Sequence, residues 1–244
     1  YFNLFEQHFI CSVLLVHLKL TWYIGQLYFC IIPNLGLLKQ ERLIVSFNNL
    51  TGRVPGRFLN LEALNVLMLD GNNFDHLTIP SVIYDMPSLK VLGLSFLNLR
   101  GEIGADISNL DLTDLFLNNN MFEGEIPAAI GTMTNLVRLH MDDNSLEGTI
   151  PTELGDLVNL KELKLHDNLD ITGPLPTELG RLTSLESLTL KNNRIDGQLP
   201  TELGELANLG ESLTYYFCGF ASKNIFARIE FAESMSNFEP PFNI

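Results

Sequence analysis

One pattern recurs along most of this chain at intervals of 23 to 25 residues. In its clearest copies, a leucine is followed by a second apolar residue two positions later and by an asparagine five positions later, with a glycine and a proline further on. The first leucines of the copies are Leu43, Leu67, Leu92, Leu115, Leu139, Leu163 and Leu188. Units of this length contact mainly their neighbours in sequence, so the pattern predicts a solenoid rather than a closed globule.

Each copy predicts one short strand followed by a return segment. The two apolar residues of the strand point inward and the side chain between them points outward. Parallel strands need a crossover connection, which the Pro-Thr-Glu-Leu-Gly half of the repeat supplies. We therefore predict an α/β repeat solenoid, right-handed and curved, with one parallel strand per repeat and short helical or 3-10 returns. Thr152, Thr177 and Thr201 follow the proline and are expected to cap these helical turns.

The asparagine of each repeat is expected to be buried and to bond the backbone groups at the turn that leaves the strand. Such groups, left unpaired, would cost about 1–3 kcal/mol each. This predicted asparagine ladder comprises Asn48, Asn72, Asn120, Asn144, Asn168 and Asn193. Glycines at positions 52, 101, 124, 148, 173 and 197 suit a backbone turn that most side chains cannot adopt.

One repeat departs from the pattern in three ways. Leu97 replaces the ladder asparagine, Gly104 replaces the proline, and the segment 111–114 is one residue short. Because the three departures fall in the same repeat, we expect a local distortion near residues 95–112.

The repeats divide the chain into three parts. Residues 1–32 are aromatic, nearly uncharged and without the repeat, which suits a membrane segment or anchor, a hydrophobic cap over the first repeat, or degenerate sequence. The predicted solenoid covers residues 33–217, with a weaker eighth turn beginning at Leu213. Residues 218–244 form the predicted C-terminal cap or tail, with a capping helix expected after Ser222.

Composition and motifs argue against several functions. The net charge of −14 is unsuited to nucleic acid, whose phosphates attract clustered Lys and Arg. No catalytic triad, phosphate-binding glycine loop or zinc-hydrolase motif is present, so we predict neither an enzyme nor a cofactor. The histidines and aspartates at positions 140, 142, 143, 166 and 167 fall close together. On a flat row of strands we expect their side chains to diverge, with no supporting shell, and we therefore predict no metal site.

The repeats resemble the plant-specific class of leucine-rich repeat over about Leu43 to Leu209, and the Ile-Pro-Thr-Glu-Leu-Gly wording is also similar to microalgal leucine-rich repeat families. The plant class occurs in receptor-like kinases, receptor-like proteins and inhibitors of polygalacturonase. The resemblance implies protein or peptide binding, often outside the cell, and no catalysis by the repeats. The paired-cysteine cap that usually precedes plant arrays is missing, since the cysteines lie at positions 11, 30 and 218.

The outward positions of the strands form two zones. The first strands present apolar residues, which either contact a partner or are covered by residues 1–41. The middle strands present charges of both signs together with an aromatic residue and an arginine, types that often anchor interfaces. This second zone is either a solvated face or a ligand-binding surface. The residues that we expect to bind the ligand on this concave face are Phe116, Arg138, His140, Asp142, Lys164 and His166.

The sequence therefore predicts a non-catalytic module that binds a protein or peptide through its strand face. It would be part of a receptor-like or membrane-associated protein at the cell surface, with residues 1–32 as the possible membrane contact. The alternatives are a soluble scaffold in the cytoplasm, a secreted inhibitor that docks on a hydrolase, and a non-functional gene fragment.

Overall fold

The computed structural model describes residues 41–54, 56–209 and 213–214. The predicted N-terminal segment 1–32 and the predicted cap 218–244 lie outside the described residues. The strands of the described part, in chain order, are β1 Arg42–Ile44, β2 Thr51–Gly52, β3 Val66–Met68, β4 Asn73–Phe74, β5 Val91–Gly93, β6 Arg100–Glu102, β7 Asp114–Phe116, β8 Met121–Glu125, β9 Arg138–His140, β10 Ser145–Thr149, β11 Glu162–Lys164, β12 Asp170–Gly173, β13 Ser187–Thr189, β14 Arg194–Ile195 and β15 Leu213–Thr214.

The odd-numbered strands form one parallel sheet in sequence order, from β1 to β15. Its register pairs the first leucine of each repeat with that of the next, as in Leu139 beside Leu163. The last pairing, Leu188 with Leu213, confirms the predicted eighth strand. The outer side of this sheet is called the strand face below. The arrangement confirms the solenoid with parallel strands.

A second row of strands was not predicted. Strands β6, β8, β10, β12 and β14 pair in parallel just after the asparagine positions, and β2 pairs with β4 in the same way. The repeat glycines end or interrupt these strands with φ between 75° and 85°. Because that left-handed conformation costs glycine little, the predicted role of these glycines is confirmed.

The return segments are short 3-10 helices, as the sequence predicts. In the described residues they are Gly56–Asn60, Ser81–Asp85, Ala105–Asn109, Ala128–Thr132, Thr152–Asp156, Thr177–Arg181 and Thr201–Glu205. The prediction that threonines cap them is wrong. In the last three, a proline holds the cap position with no side-chain cap bond. The threonine is the first helical residue, one position too late, and its hydroxyl instead donates to the neighbouring glutamate, at 3.3 Å in Thr152.

The inward leucines form one continuous core along the solenoid. Leu67, Leu92, Leu115, Leu139 and Leu163 are all completely buried. Each repeat thus buries its apolar residues against the repeats on either side, which a single unit could not do alone.

A further glycine in the return segments Ala128–Thr132, Thr152–Asp156 and Thr177–Arg181 has a steric role that the sequence reading missed. A Cβ on Gly155 would lie 2.4 Å from the backbone oxygen of Glu178, and one on Gly180 would lie 2.5 Å from that of Glu202. The 3-10 helices of successive repeats therefore approach too closely for any side chain at this position.

The expected distortion near residues 95–112 is small. Strand β7 keeps its register against β5, and Gly104 takes the φ of −66° that proline has in other repeats. The N–H groups of Leu97 and Leu99 both donate to Oδ1 of Asn120, at 3.0 and 3.1 Å. Asn120, the ladder asparagine of the following repeat, therefore supplies the acceptor for this turn. The repeat differs from the others in a second residue with a left-handed backbone, Asn98, two positions after Phe96.

The described helices are all short. Within the described ranges, none combines the length and the apolar character that crossing a bilayer requires.

Candidate ligand-binding face

The asparagines hold the strands at a fixed spacing. Nδ2 of Asn168 donates to the carbonyls of Met141 and Leu165 at 3.0 Å, and its Oδ1 accepts the N–H of Leu146 at 3.1 Å. Each amide therefore joins its own turn to that of the preceding repeat. Asn168 is fully buried, whereas Asn48 is exposed and bonds only within its own repeat, to Val45 and Ser46.

The bonding to two repeats recurs at the other ladder positions. The asparagines whose amides bond both their own repeat and the preceding one are Asn72, Asn120, Asn144, Asn168 and Asn193. Asn72 and Asn168 are buried as predicted, whereas Asn120, Asn144 and Asn193 are half-buried. Asn48 is exposed, because no described repeat precedes it and covers its amide.

The residue just before each ladder position has a left-handed backbone, which the sequence reading did not identify. The φ angles lie between 52° and 60° at Phe47, Gly71, Phe96, Asn119, Asp143, Asp167 and Asn192. Asn and Asp tolerate this conformation better than most residues, so their recurrence here was an available signal. Except at Gly71, which has no side chain, the turn places an extra side chain of the repeat beside the strand face.

Four of the six predicted binding residues form one connected group. The guanidinium of Arg138 pairs with Asp114 and lies 5.6 Å from the centroid of the Phe116 ring. Phe116 also makes an edge contact with His140, with ring centroids 5.0 Å apart. The cation–π and edge contacts keep the aromatic ring and the cation of the strand face in a fixed arrangement.

Glu162 extends this group to the next strand. Its Oε2 lies 2.9 Å from Nε2 of His140 and 3.7 Å from Nζ of Lys164. Burial lowers the pKa of His140, the charge of Lys164 lowers it further, and the contact with Glu162 acts in the opposite direction. The group from Asp114 to Lys164, which spans β7, β9 and β11, is called the central cluster.

Asp142 and His166 lie further along the same face and form a second group. Nε2 of His166 is 3.5 Å from Oδ2 of Asp142, and its Nδ1 is 3.0 Å from the hydroxyl of Thr189. Burial raises the pKa of Asp142, while His166 partly offsets that effect. The expectation that these side chains diverge is wrong, because Asp142, Asp143 and His166 bring ligand atoms within 4.8 Å of one another.

Asp114 and Asp142 occupy positions at which the side chain points outward from the sheet, yet both are buried. Asp114 is 6% exposed, and so is Asp142. Each carboxylate faces a basic side chain from the next repeat, Arg138 for Asp114 and His166 for Asp142. At these positions a side chain that points outward is still buried, because a longer side chain of the next repeat covers the short aspartate.

The apolar zone of the first strands is partly exposed. Ile44, Phe47 and Phe96 expose 54%, 72% and 46% of their surface, and the two phenylalanine rings lie 6.0 Å apart. A Cβ on Gly71 would lie 2.5 Å from the Phe47 ring, so glycine makes room for that ring. Val66, Met68 and Val91 are half-buried.

The chain matches a known family over most of its length. A family model described as "Leucine-rich repeat region" matches residues 42–220. Receptor-like protein 45 of Arabidopsis thaliana is 34% identical over 134 residues, which cover 53% of this chain and 13% of that protein. Receptor-like protein 35 of the same plant is 34% identical over 95 residues, or 38% of this chain and 10% of that protein. The chain thus matches only a small part of each curated relative.

Solved plant receptors have the same fold. The ectodomain of the Arabidopsis thaliana receptor kinase GASSHO1/SCHENGEN3, in complex with CASPARIAN STRIP INTEGRITY FACTOR 2, is 36% identical with a TM-score of 0.66. The match covers 70% of this chain and 20% of the receptor. The Arabidopsis receptor kinase HAESA, in complex with the peptide hormone IDA and the co-receptor SERK1, is 34% identical with a TM-score of 0.66 over 70% of this chain and 29% of HAESA.

The repeat spacing, the parallel sheet with its asparagine ladder and these matches lead to one assignment. The chain belongs to the leucine-rich repeat family and is of the plant type found in receptor-like proteins and receptor-kinase ectodomains.

Proposed function

We propose that this chain is the ligand-binding module of a receptor-like protein at the cell surface, and that it binds a peptide or protein without catalysing a reaction. Relatives of known structure are described in complex with the peptide hormone IDA or with CASPARIAN STRIP INTEGRITY FACTOR 2, which supports the proposal. The proposed binding site is the strand face of the middle repeats.

The observation that carries this proposal is the central cluster. Phe116, Arg138 and His140 contact one another through ring and cation–π contacts, and Glu162 links His140 to Lys164. The strands are about 4.8 Å apart, so three of them place these side chains within roughly 10 Å. A surface that is already ordered loses less conformational entropy when a ligand binds.

The charges of this face favour a partner with basic groups or with both signs. Arg138 and Lys164 supply positive charge, whereas Glu162, Asp143 and Asp167 supply accessible negative charge around them. Opposite charges accelerate encounter with such a partner, and added salt slows it.

Binding to a peptide array tests the proposal. The full chain is screened against secreted peptides, and each hit is measured again with the double variant Arg138→Gln, Lys164→Glu. Glutamine retains an amide donor for Asp114, which keeps this buried carboxylate from losing its partner. We expect at least tenfold weaker binding with little change in the melting temperature.

The matched control changes two charges on the opposite edge, Glu153→Lys and Glu202→Lys, both exposed. It should bind as the wild type does. Equal binding by the double variant and the wild type, or weaker binding by the control alone, would contradict the proposed face.

A further inference from the structure

Asp142 is the most unusual polar residue of the described chain. Its side chain is 8% exposed, and among the described residues its Oδ1 has no hydrogen-bond partner although it is buried. A buried carboxylate oxygen without a partner is unfavourable, and buried polar groups are rarely left in that state. The oxygen therefore indicates a partner of positive character beside Asp142.

Two other potential ligands surround the same point. One ligand atom from each of Asp142, Asp143 and His166 lies within 4.8 Å of the other two. Oδ2 of Asp142 and Nε2 of His166 are 3.5 Å apart, close to the separation of about 3–3.5 Å between adjacent ligands at 2.0–2.2 Å from one ion. Small side-chain rotations would complete the set.

The backbone explains why these side chains converge. Asp143 has the left-handed φ of 52°, so its side chain does not point to the opposite side of the sheet as the next residue of a strand would. Its N–H donates to the carbonyl of His166 at 3.0 Å, which places the two repeats side by side here.

A contact at Nδ1, with the hydroxyl of Thr189, orients the imidazole of His166. Its Nδ1 lies 3.0 Å from Oγ1 of Thr189, while its Nε2 faces the carboxylates of Asp142 and Asp167, at 3.5 and 3.9 Å. When Nδ1 carries the proton and donates it to the threonine, Nε2 is left with a lone pair toward Asp142. Metal-bound histidines are typically held by such a bond on the other nitrogen.

We propose that Asp142, Asp143 and His166 bind one divalent transition-metal ion of the Zn²⁺ type on the strand face. One imidazole with two carboxylates is a donor set that suits zinc and its neighbours, whereas Ca²⁺ takes six to eight oxygens. Asp143 is exposed and His166 half-buried, so the remaining coordination positions face solvent. Lys191 follows His166 at the corresponding position of the next repeat and lies outside the donor set. The site does not depend on the proposed function.

Metal titration of the full chain tests the site. The protein is freed of metal with a chelator and titrated with Zn²⁺ by calorimetry as the wild type, Asp142→Asn, His166→Gln and the control His140→Gln. The control removes an imidazole of the same face that bonds Glu162 and belongs to no metal-ligand group of the described residues. Loss of one ligand of three should weaken this binding event at least about 100-fold, and the control should retain it.

Titration with Co²⁺ separates this site from any thiolate site. The Co²⁺ absorption bands that the wild type shows and that Asp142→Asn and His166→Gln lack should be d–d bands. They should not include a sulfur-to-metal charge-transfer band. Circular dichroism checks that each variant is folded. If either folded variant binds Zn²⁺ with the stoichiometry and affinity of the wild type, or if the lost bands include a sulfur band, the assignment is wrong and Asp142 pairs with His166 alone.

Discussion

Replacing Asn168 with leucine tests the asparagine ladder most sharply. The variant removes a fully buried amide that bonds two repeats. The carbonyl of Met141 keeps its bond from Asn144, and that of Leu165 keeps its bond from Asn193. The N–H of Leu146, which donates to Oδ1 of Asn168, has no such second ladder amide.

The expected cost follows from this difference. A buried donor without a partner costs about 1–3 kcal/mol, whereas a carbonyl that retains one of its two bonds costs much less. We therefore expect Asn168→Leu to lower the free energy of unfolding by about 1–3 kcal/mol, most of it from Leu146. The urea midpoint should fall and the slope of the transition should stay the same.

Asn48→Leu is the matched control. Asn48 holds the same position in its repeat, but it is exposed and bonds only to Val45 and Ser46. Water can replace those bonds, so a cost of no more than about 1 kcal/mol is expected. If the two variants were equally destabilised, the bonds between repeats would not be the source of the ladder's contribution.

Two other predictions concern single positions. Gly155→Ala should cost about 1–3 kcal/mol or more in thermal or urea unfolding, because its Cβ would meet the backbone of Glu178. Gly104→Ala, where no described atom lies within 4 Å of the new Cβ, should change stability by less than about 0.5 kcal/mol, and similar losses at both sites would refute the steric argument. Because burial raises the pKa of Asp142 above the ordinary 3.8, the folded chain loses stability as the pH rises through that raised value. In a chelating buffer, Asp142→Asn should therefore raise the melting temperature at about pH 7 and raise it less near pH 4, and an equal effect at both pH values would count against the burial of this charge.

The repeat period accounts for most of what the sequence predicted correctly. It placed Leu139 beside Leu163, because equal spacing brings equal positions together in a solenoid. It also assigned Gly148 to a left-handed turn, where φ is 75°. Both features are local or follow directly from the spacing.

The candidate site was less predictable, because it depends on contacts between side chains of different repeats. Alternation along a strand shows that Asp142 points outward, but it does not show that Asp142 is buried and that its carboxylate faces His166 of the next repeat. The metal-ligand group was missed for a similar reason, since the left-handed backbone of Asp143 turns its side chain away from the direction that alternation predicts. The prediction of threonine caps was wrong by one position, because the proline before each threonine holds the cap position.

Site-specific photo-crosslinking is the most direct test of the proposed binding face. A benzophenone side chain is introduced at Phe116, within the central cluster, and in a second protein at Val158, which is 49% exposed and lies after the 3-10 helix Thr152–Asp156. Each protein is irradiated with a peptide obtained from the array screen. The account predicts a covalent adduct from position 116 and none from position 158. An adduct from position 158 alone, or equal adducts from both, would contradict the assignment of the strand face as the binding surface.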